Sequence, residues 1–179
     1  MYNLITAVLL ILFAALSRLL PHPMNFAPIT AIALFGGAYL DKRLAFIVPI
    51  IAMLISDAFI GFYSGFYWVY GALIIIGFIG LWLRNKMNEP AGKKILFIGG
   101  STLLSSVIFF VITNFAFLYP PTMYPHTLEG IAASYIAAIP FFRNALAGDL
   151  VYVTAMFGIY EFASKYIKTS SLEKVKVRK

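Results

Sequence analysis

Long apolar runs dominate this sequence and decide what kind of fold it can adopt. Only 12% of the 179 residues are charged and 61% are hydrophobic, whereas soluble domains average about 25% charged residues. A water-soluble fold could not cover so much apolar surface with so few polar side chains. The sequence therefore predicts an all-α protein, a polytopic membrane helix bundle.

The apolar runs predict six transmembrane helices. A spanning helix needs about 20 apolar residues, with a range of about 17–25, and the predicted spans cover residues 4–20, 28–40, 44–62, 67–83, 95–118 and 144–166. The second run is short, which predicts a tilted, partly unwound or re-entrant helix that protein shields from lipid. Pro140 and Arg143 divide the last apolar region, so we predict a separate short outer-face helix at 128–139. Seven spans is the alternative count.

The distribution of lysine and arginine predicts the orientation. With six spans and both termini cytoplasmic, every Lys and Arg except Arg18 and Arg143 falls on the cytoplasmic side, as the positive-inside rule favours. We therefore predict a multi-pass protein of the inner (cytoplasmic) membrane, with a single transmembrane domain at 1–167 and a basic cytoplasmic tail at 168–179. This topology accounts for the net charge of +7, so the expected partner is the lipid bilayer and no nucleic acid.

Polar side chains within or beside the spans concentrate at the predicted outer end. Charged groups in spans cost about 2.5–3.5 kcal/mol each at the bilayer centre, and they usually face a cavity or one another. We therefore predict one outward-facing polar cavity. Its candidate ligand-binding residues are Arg18, His22, Asn25, Asp57, Asn114, His126, Arg143, Asn144 and Asp149.

These side chains have expected roles in binding a small polar or charged solute. Arg18 and Arg143 would hold anionic groups of the ligand, while the aspartates would orient those arginines or take a ligand amine. The asparagine amides would supply neutral hydrogen bonds. The prolines around His22 and the segment 119–129 would form a lid that moves. The alternative is a structural or assembly protein, in which the same groups only lock helices together.

Enzyme signatures are missing from the sequence. It contains no HExxH, GxSxG, phosphate-loop or nucleotide-binding motif, no cysteine, and only two histidines without metal-ligand spacing. We therefore expect no enzyme activity, no cofactor and no metal site. A membrane hydrolase with Asp57 and Asp149 as paired carboxylates is a distant third reading, since nearby arginines suit ion pairing better than acid catalysis.

Four segments carry a resemblance to a known family. PHPMNFAPITAIALFGGAYLDKR, LISDAFIGFY, ITNFAF and YPHTLEGIAASYIAAIPFFRNALAGDL are similar to an uncharacterised family of small bacterial integral membrane proteins, over about residues 18–158. A more distant similarity is to the S components of energy-coupling-factor vitamin transporters, which are six-helix proteins with cytoplasmic termini and a vitamin site near the outer face. That resemblance implies uptake of a vitamin-like small molecule and an energising transporter module as partner.

The first helix departs from the S-component pattern. S components commonly carry an Ala-x-x-x-Ala face on this helix, which docks the coupling subunit. Here Ala7, Ala14 and Ala15 do not make that spacing. A transporter that works alone is compatible with this departure.

Overall fold

The computed structural model describes the backbone of residues 2–177 and the side chains of residues 4–166, and the regular secondary structure in this part consists of helices only. The helices are α1 (Tyr2–Leu19), α2 (Ile29–Tyr39), α3 (Leu44–Ile60), α4 (Phe66–Arg84), α5 (Ala91–Thr113) and α6 (Leu128–Val177), with a short 3-10 helix at Ala116–Leu118. No strand occurs in the described residues, so the predicted all-α class is confirmed. The side chains of the predicted tail, 168–179, lie outside the described residues.

Three helices of the described chain are long and apolar enough to cross a membrane: α4, α5 and the Leu128–Tyr166 part of α6. The described part of α1, together with α2 and α3, is apolar but shorter. Large apolar side chains such as Leu9, Phe59 and Phe162 point away from the bundle, with 61%, 76% and 75% of their surface exposed. Helices that are apolar on their outward faces suit a lipid surrounding, which is consistent with a membrane protein.

α2 forms the centre of the bundle. Its residues from Ile29 through Ala38 are all buried, and it contacts each of the other five helices. At 1.5 Å per residue its length is about 16 Å, roughly half of the hydrocarbon thickness of a bilayer. A short helix shielded by protein was expected here, and the surrounding helices provide that shield.

A glycine-to-glycine crossing joins α2 to α4. A Cβ atom added to Gly37 would lie 2.5 Å from the Cα of Gly80, and one added to Gly80 would lie 2.6 Å from the carbonyl oxygen of Leu34. The two backbones therefore touch directly, as small residues permit in membrane helix packing.

Arg84 closes the end of α2 next to this crossing. Its Nε donates to the carbonyl oxygen of Gly37 at 2.9 Å, and its Nη2 donates to the carbonyl oxygen of Leu40. The last carbonyls of a helix have no partner within the helix, and lipid could not supply one. Arg84 satisfies two of them and adds a cation at the negative end of the helix dipole.

A second polar contact lies at the same end of α2. The Tyr39 hydroxyl donates to Glu161 Oε1 at 2.8 Å, and Lys94 Nζ lies 2.9 Å from Glu161 Oε2. α2, α5 and α6 are thus joined where α2 ends. We call this the basic end of the bundle, because Arg84 and Lys94 lie there. The opposite end, where α2 begins and a cavity opens between the helices, is called the cavity end.

The predicted break in the last apolar region is wrong. α6 runs without interruption from Leu128 to Val177 with Pro140 inside it, so there is no separate helix at 128–139. Proline removes one backbone hydrogen bond, but ending the helix in a membrane would expose several polar groups to lipid. The Leu128–Tyr166 part measures about 58 Å at 1.5 Å per residue, so some of it projects beyond a hydrocarbon core of about 30 Å.

The alanines of α1 face into the bundle. Ala7, Ala14 and Ala15 are 2%, 0% and 3% exposed, and α1 packs mainly on α3. These small residues let the two helices approach closely, and they do not form an exposed docking face.

Candidate functional site

A cavity of about 440 Å³ lies where α2 begins, at the end of the bundle opposite Arg84 and Lys94. All six helices or their connections contribute to its wall: Arg18 on α1, Thr30 on α2, Met53 on α3, Trp68 on α4, Phe110 on α5 and Asp149 on α6. Its volume lies within the range of about 300–1,000 Å³ that is typical of small-molecule sites. We call it the Arg18–Asp149 cavity, after the acidic and the basic side chain that line it.

Arg18 forms an ion pair with a fully buried aspartate behind the cavity wall. Its Nη1 lies 2.7 Å from Asp57 Oδ1 and also donates to Ser56 Oγ. The Arg18 side chain is 16% exposed and the Asp57 side chain 0%. The Tyr70 hydroxyl donates to the other carboxylate oxygen at 2.7 Å. The charge of Arg18 is therefore matched, and α1, α3 and α4 are tied together.

Asp149 lies on the other side of the cavity and has no such partner. It is 3% exposed, and the Ser106 hydroxyl donates to its Oδ2 at 2.7 Å. The Thr30 hydroxyl is also within hydrogen-bonding reach of the carboxyl group. No Lys, Arg or His among the described side chains forms an ion pair with it. The aspartates were expected to orient the arginines or to take a ligand amine, and of the two only Asp57 contacts an arginine.

The structure brings together part of the predicted site. Of the nine predicted residues, those that line the cavity are Arg18, Asn25, Asn114 and Asp149, with Asp57 directly behind Arg18. Asn25 is exposed in a left-handed backbone conformation with φ of 62°. The Asn114 amide donates to the carbonyl oxygen of Phe110 at 2.8 Å.

The other predicted residues lie outside the wall. His22 is exposed, with its Nδ1 2.7 Å from the carbonyl oxygen of Leu20. His126 stacks on Phe117 at 4.4 Å between ring centroids and belongs to the packing of its own loop. Arg143 is exposed and Asn144 half-buried, and neither lines the cavity.

Two tyrosines at the mouth of the cavity stay neutral at physiological pH. Burial, together with the nearby negative charge of Asp57, raises the pKa of Tyr63 to about 12. Burial beside Tyr124 raises the pKa of Tyr119, whose hydroxyl donates to the carbonyl oxygen of Thr113 at 2.9 Å. The phenols therefore add hydrogen-bonding groups and no charge.

Aromatic rings cover the wall between the mouth and Asp149. Phe110 on α5 and Phe142 on α6 pack together at 4.7 Å between ring centroids, and both line the cavity. Ser106 lies one turn deeper on α5, and Asp149 lies two turns deeper on α6. Trp68 also lines the cavity that holds this buried carboxyl group, and we call Phe110, Phe142 and Trp68 together the aromatic sleeve.

Sequence reasoning missed the hydroxyl groups that hold the two aspartates. Neither Tyr70 nor Ser106 belongs to the predicted site, although their hydroxyl groups donate to Asp57 and Asp149. A signal was available: Ser101, Thr102, Ser105 and Ser106 form two pairs spaced four apart in an otherwise apolar helix, and all four are buried. Ser101 and Ser105 have no hydrogen-bond partner among the described residues.

The cavity wall can supply hydrogen bonds, an ionisable carboxyl group and aromatic contacts. Nowhere in the described residues do three His, Asp or Glu side chains gather closely enough to hold a metal ion. The cavity offers one paired cation, one unpaired carboxyl group, asparagine amides and aromatic faces.

Comparisons with known proteins place the chain in a family. No curated protein and no solved structure matches it. Residues 1–172 match the model of the Family of unknown function (DUF6580), which covers nearly the whole sequence, including every segment that forms the cavity. The chain therefore belongs to the DUF6580 family.

Proposed function

We propose that this protein is the solute-binding component of a membrane transport system and takes a small polar or charged ligand into the Arg18–Asp149 cavity. The observation that carries the proposal is a cavity of about 440 Å³ that is lined by all six helices or their connections and has charged, amide and aromatic side chains in its wall. Pockets of this kind, largely apolar with a few placed polar groups, are typical of small-molecule sites. The distant likeness to vitamin S components supports a ligand of vitamin-like size.

The proposal includes a six-span topology with both termini cytoplasmic and the cavity open to the outside. It is supported by the helix directions, because Arg18 at the end of α1 and Asn25 before α2 lie at the cavity end. Arg84 at the end of α4 and Lys94 near the start of α5 lie at the basic end. Positive residues favour the cytoplasmic side, which in bacteria would be that of the inner membrane.

The protein would work alone or with an energising module, and one observation bears on the choice. The alanines of α1 are buried against the bundle, so they are not available as a docking face of the S-component kind. This favours a component that works alone.

A second candidate function has its own supporting observation. The Arg18–Asp57 ion pair, with Tyr70, ties three helices together, as it would in a structural or assembly protein. Because that contact lies beside the cavity wall, variants that test the cavity should leave it intact.

The decisive experiment fills the cavity with a side chain. Ala145 lines it, so Ala145→Phe would occupy part of its volume. Ala147, two residues further along α6, is exposed and does not line it, so Ala147→Phe is the matched control. The readout is native mass spectrometry of the detergent-purified proteins, with detection of a co-purifying small molecule.

We expect the wild type and Ala147→Phe to carry a bound solute and Ala145→Phe to lose it, while all three elute as the same monodisperse species. If no solute accompanies the wild type from cells grown in rich medium, or if Ala145→Phe retains it, the structural reading is favoured. A C-terminal reporter located outside the cell would contradict the topology.

A further inference from the structure

One arginine and one aspartate line the Arg18–Asp149 cavity, and of the two only the arginine forms an ion pair with a described side chain. Arg18 is its only lining cation among the described residues, and it is matched by Asp57 at 2.7 Å. The phenols at the mouth are neutral. Asp149 forms no ion pair with any Lys, Arg or His whose side chain the structure describes.

We infer that the ligand is a small organic cation, whose ammonium group pairs with Asp149 and whose body lies against the aromatic sleeve formed by Phe110, Phe142 and Trp68. The inference rests on the proposed function and names the substrate class of the same site. A carboxyl group in a membrane protein usually faces a cavity or a partner charge, and here the cavity is where the partner would come from.

The surroundings of Asp149 favour an ammonium group over a metal ion. A metal site would need several carboxylates or histidines, and no group of three exists in the described part of the chain. Aromatic rings attract ammonium groups through their negative faces, and tryptophan does so best. Phe110, Phe142, Ser106 and Asp149 line the same cavity, so a ligand that contacts Asp149 has these two aromatic rings in the wall beside it.

The same arrangement disfavours an anionic ligand. The guanidinium group that would hold an anion already contacts Asp57 and Ser56. Arg143, the other arginine at this end, is exposed and does not line the cavity. An anion entering the cavity would approach Asp149 without a free cation to offset it.

The test uses matched probes on the full-length protein in lipid nanodiscs. Binding is measured by isothermal titration calorimetry for 2-phenylethylammonium and benzyltrimethylammonium, with 3-phenylpropionate as the anion of similar size and 2-phenylethanol as the neutral compound. The variants are Asp149→Asn, which keeps the shape and removes the charge, and Asp149→Glu, which keeps the charge. Asp41→Asn is the control, because Asp41 is exposed in the turn between α2 and α3, where it accepts from the backbone nitrogen of Arg43.

We expect at least one ammonium probe to bind, and the anion and the alcohol to bind at least about 10-fold more weakly. Asp149→Asn should weaken ammonium binding by about 10- to 100-fold, the range expected when a hydrogen bond to a charged group is lost. Asp149→Glu should keep part of the affinity and Asp41→Asn all of it. Monodisperse elution and an unchanged melting temperature would show that the Asp149 variants fold.

Other outcomes separate this inference from the proposed function. If the anion binds better than the ammonium probes, or if folded Asp149→Asn binds them as well as wild type, the cation assignment is overturned while the solute-binding function stands. If no probe binds but a solute co-purifies, its structure decides: a cationic group supports the inference and its absence overturns it. If nothing binds or co-purifies, both proposals fail.

Discussion

The glycine crossing between α2 and α4 gives the sharpest prediction about stability. In Gly37→Ala the new Cβ would lie 2.5 Å from the Gly80 Cα, so the helices must separate by about 1 Å to reach the 3.5–4.0 Å of an ordinary carbon contact. Overpacking of this kind typically costs about 1–3 kcal/mol. Alanine also favours a helix interior over glycine by about 1 kcal/mol, which offsets part of the loss.

Gly36→Ala is the matched control, because it makes the same substitution one residue earlier in the same helix. Its Cβ would have its nearest neighbour at 3.5 Å, the Cα of Ala45, which is an ordinary contact. The helix-propensity gain is the same for both variants, so their difference isolates the steric cost. We expect Gly36→Ala to be at least as stable as the wild type. Gly37→Ala should be less stable than Gly36→Ala by about 1–3 kcal/mol.

The assay is thermal unfolding in detergent, followed by the fraction of protein that stays monodisperse and by the fluorescence of Trp68 and Trp82. At about 2–4 °C per kcal/mol for a chain of this length, the two variants should differ by roughly 2–12 °C in melting temperature. The reasoning would be refuted if the melting temperature of Gly37→Ala were equal to or higher than that of Gly36→Ala. Gly71→Ala in α4, where a Cβ would meet nothing within 4 Å, checks that α4 tolerates the substitution itself.

Three further predictions concern individual contacts. Arg18→Ala should destabilise the protein by about 3–5 kcal/mol in the same assay, because Asp57 would stay buried without a cation. Adding Asp57→Leu should recover part of the lost stability. Unchanged stability of Arg18→Ala would contradict this prediction. The side chains of the Lys94–Glu161 pair are partly exposed, at 17% and 29%. A double-mutant cycle should therefore give a coupling energy of about 1 kcal/mol or less. A coupling energy of several kcal/mol would contradict this prediction. Gly130→Ala would place a Cβ 1.7 Å from a carbonyl oxygen of the preceding loop, so limited proteolysis should cut that loop faster than in the wild type, and an unchanged rate would count against the contact.

Much of the helix bundle could be predicted from the apolar runs. The second run is short for a spanning helix and was expected to be shielded by protein, and the structure has α2 as a short helix with its residues from Ile29 to Ala38 buried. The concentration of Arg18, Asn25, Asn114 and Asp149 at one end also followed from their positions relative to the runs. Both predictions depend only on distance along a helix, which sequence gives directly.

The break at Pro140 could not be judged in the same way. A proline and an arginine close together read as a helix boundary, yet α6 continues through both. The cost of ending a helix in lipid depends on the surroundings, and a long arginine side chain such as Arg143 can extend away from the apolar region without bending the backbone.

The pairing of polar groups depends on helix rotation, which the sequence does not report. Asp57 and Asp149 look alike in sequence, since each lies in an apolar helix near a serine or an asparagine. In the structure Asp57 meets Arg18 and Tyr70, while Asp149 meets only hydroxyl groups. The difference in their surroundings, and with it the charge of the cavity, emerges only when the helices are packed.

The attachment of α2 to α4 sets a limit on how this protein can move. Direct backbone contact at Gly37 and the two bonds from Arg84 make the pair a single rigid block. Sliding one helix along the other would break those bonds where lipid offers no replacement. Under the proposed function, a solute that leaves the cavity toward the basic end would therefore require the other helices to move relative to this block; on the side of α5 and α6, such a movement would open the contacts of Asp149 and Glu161.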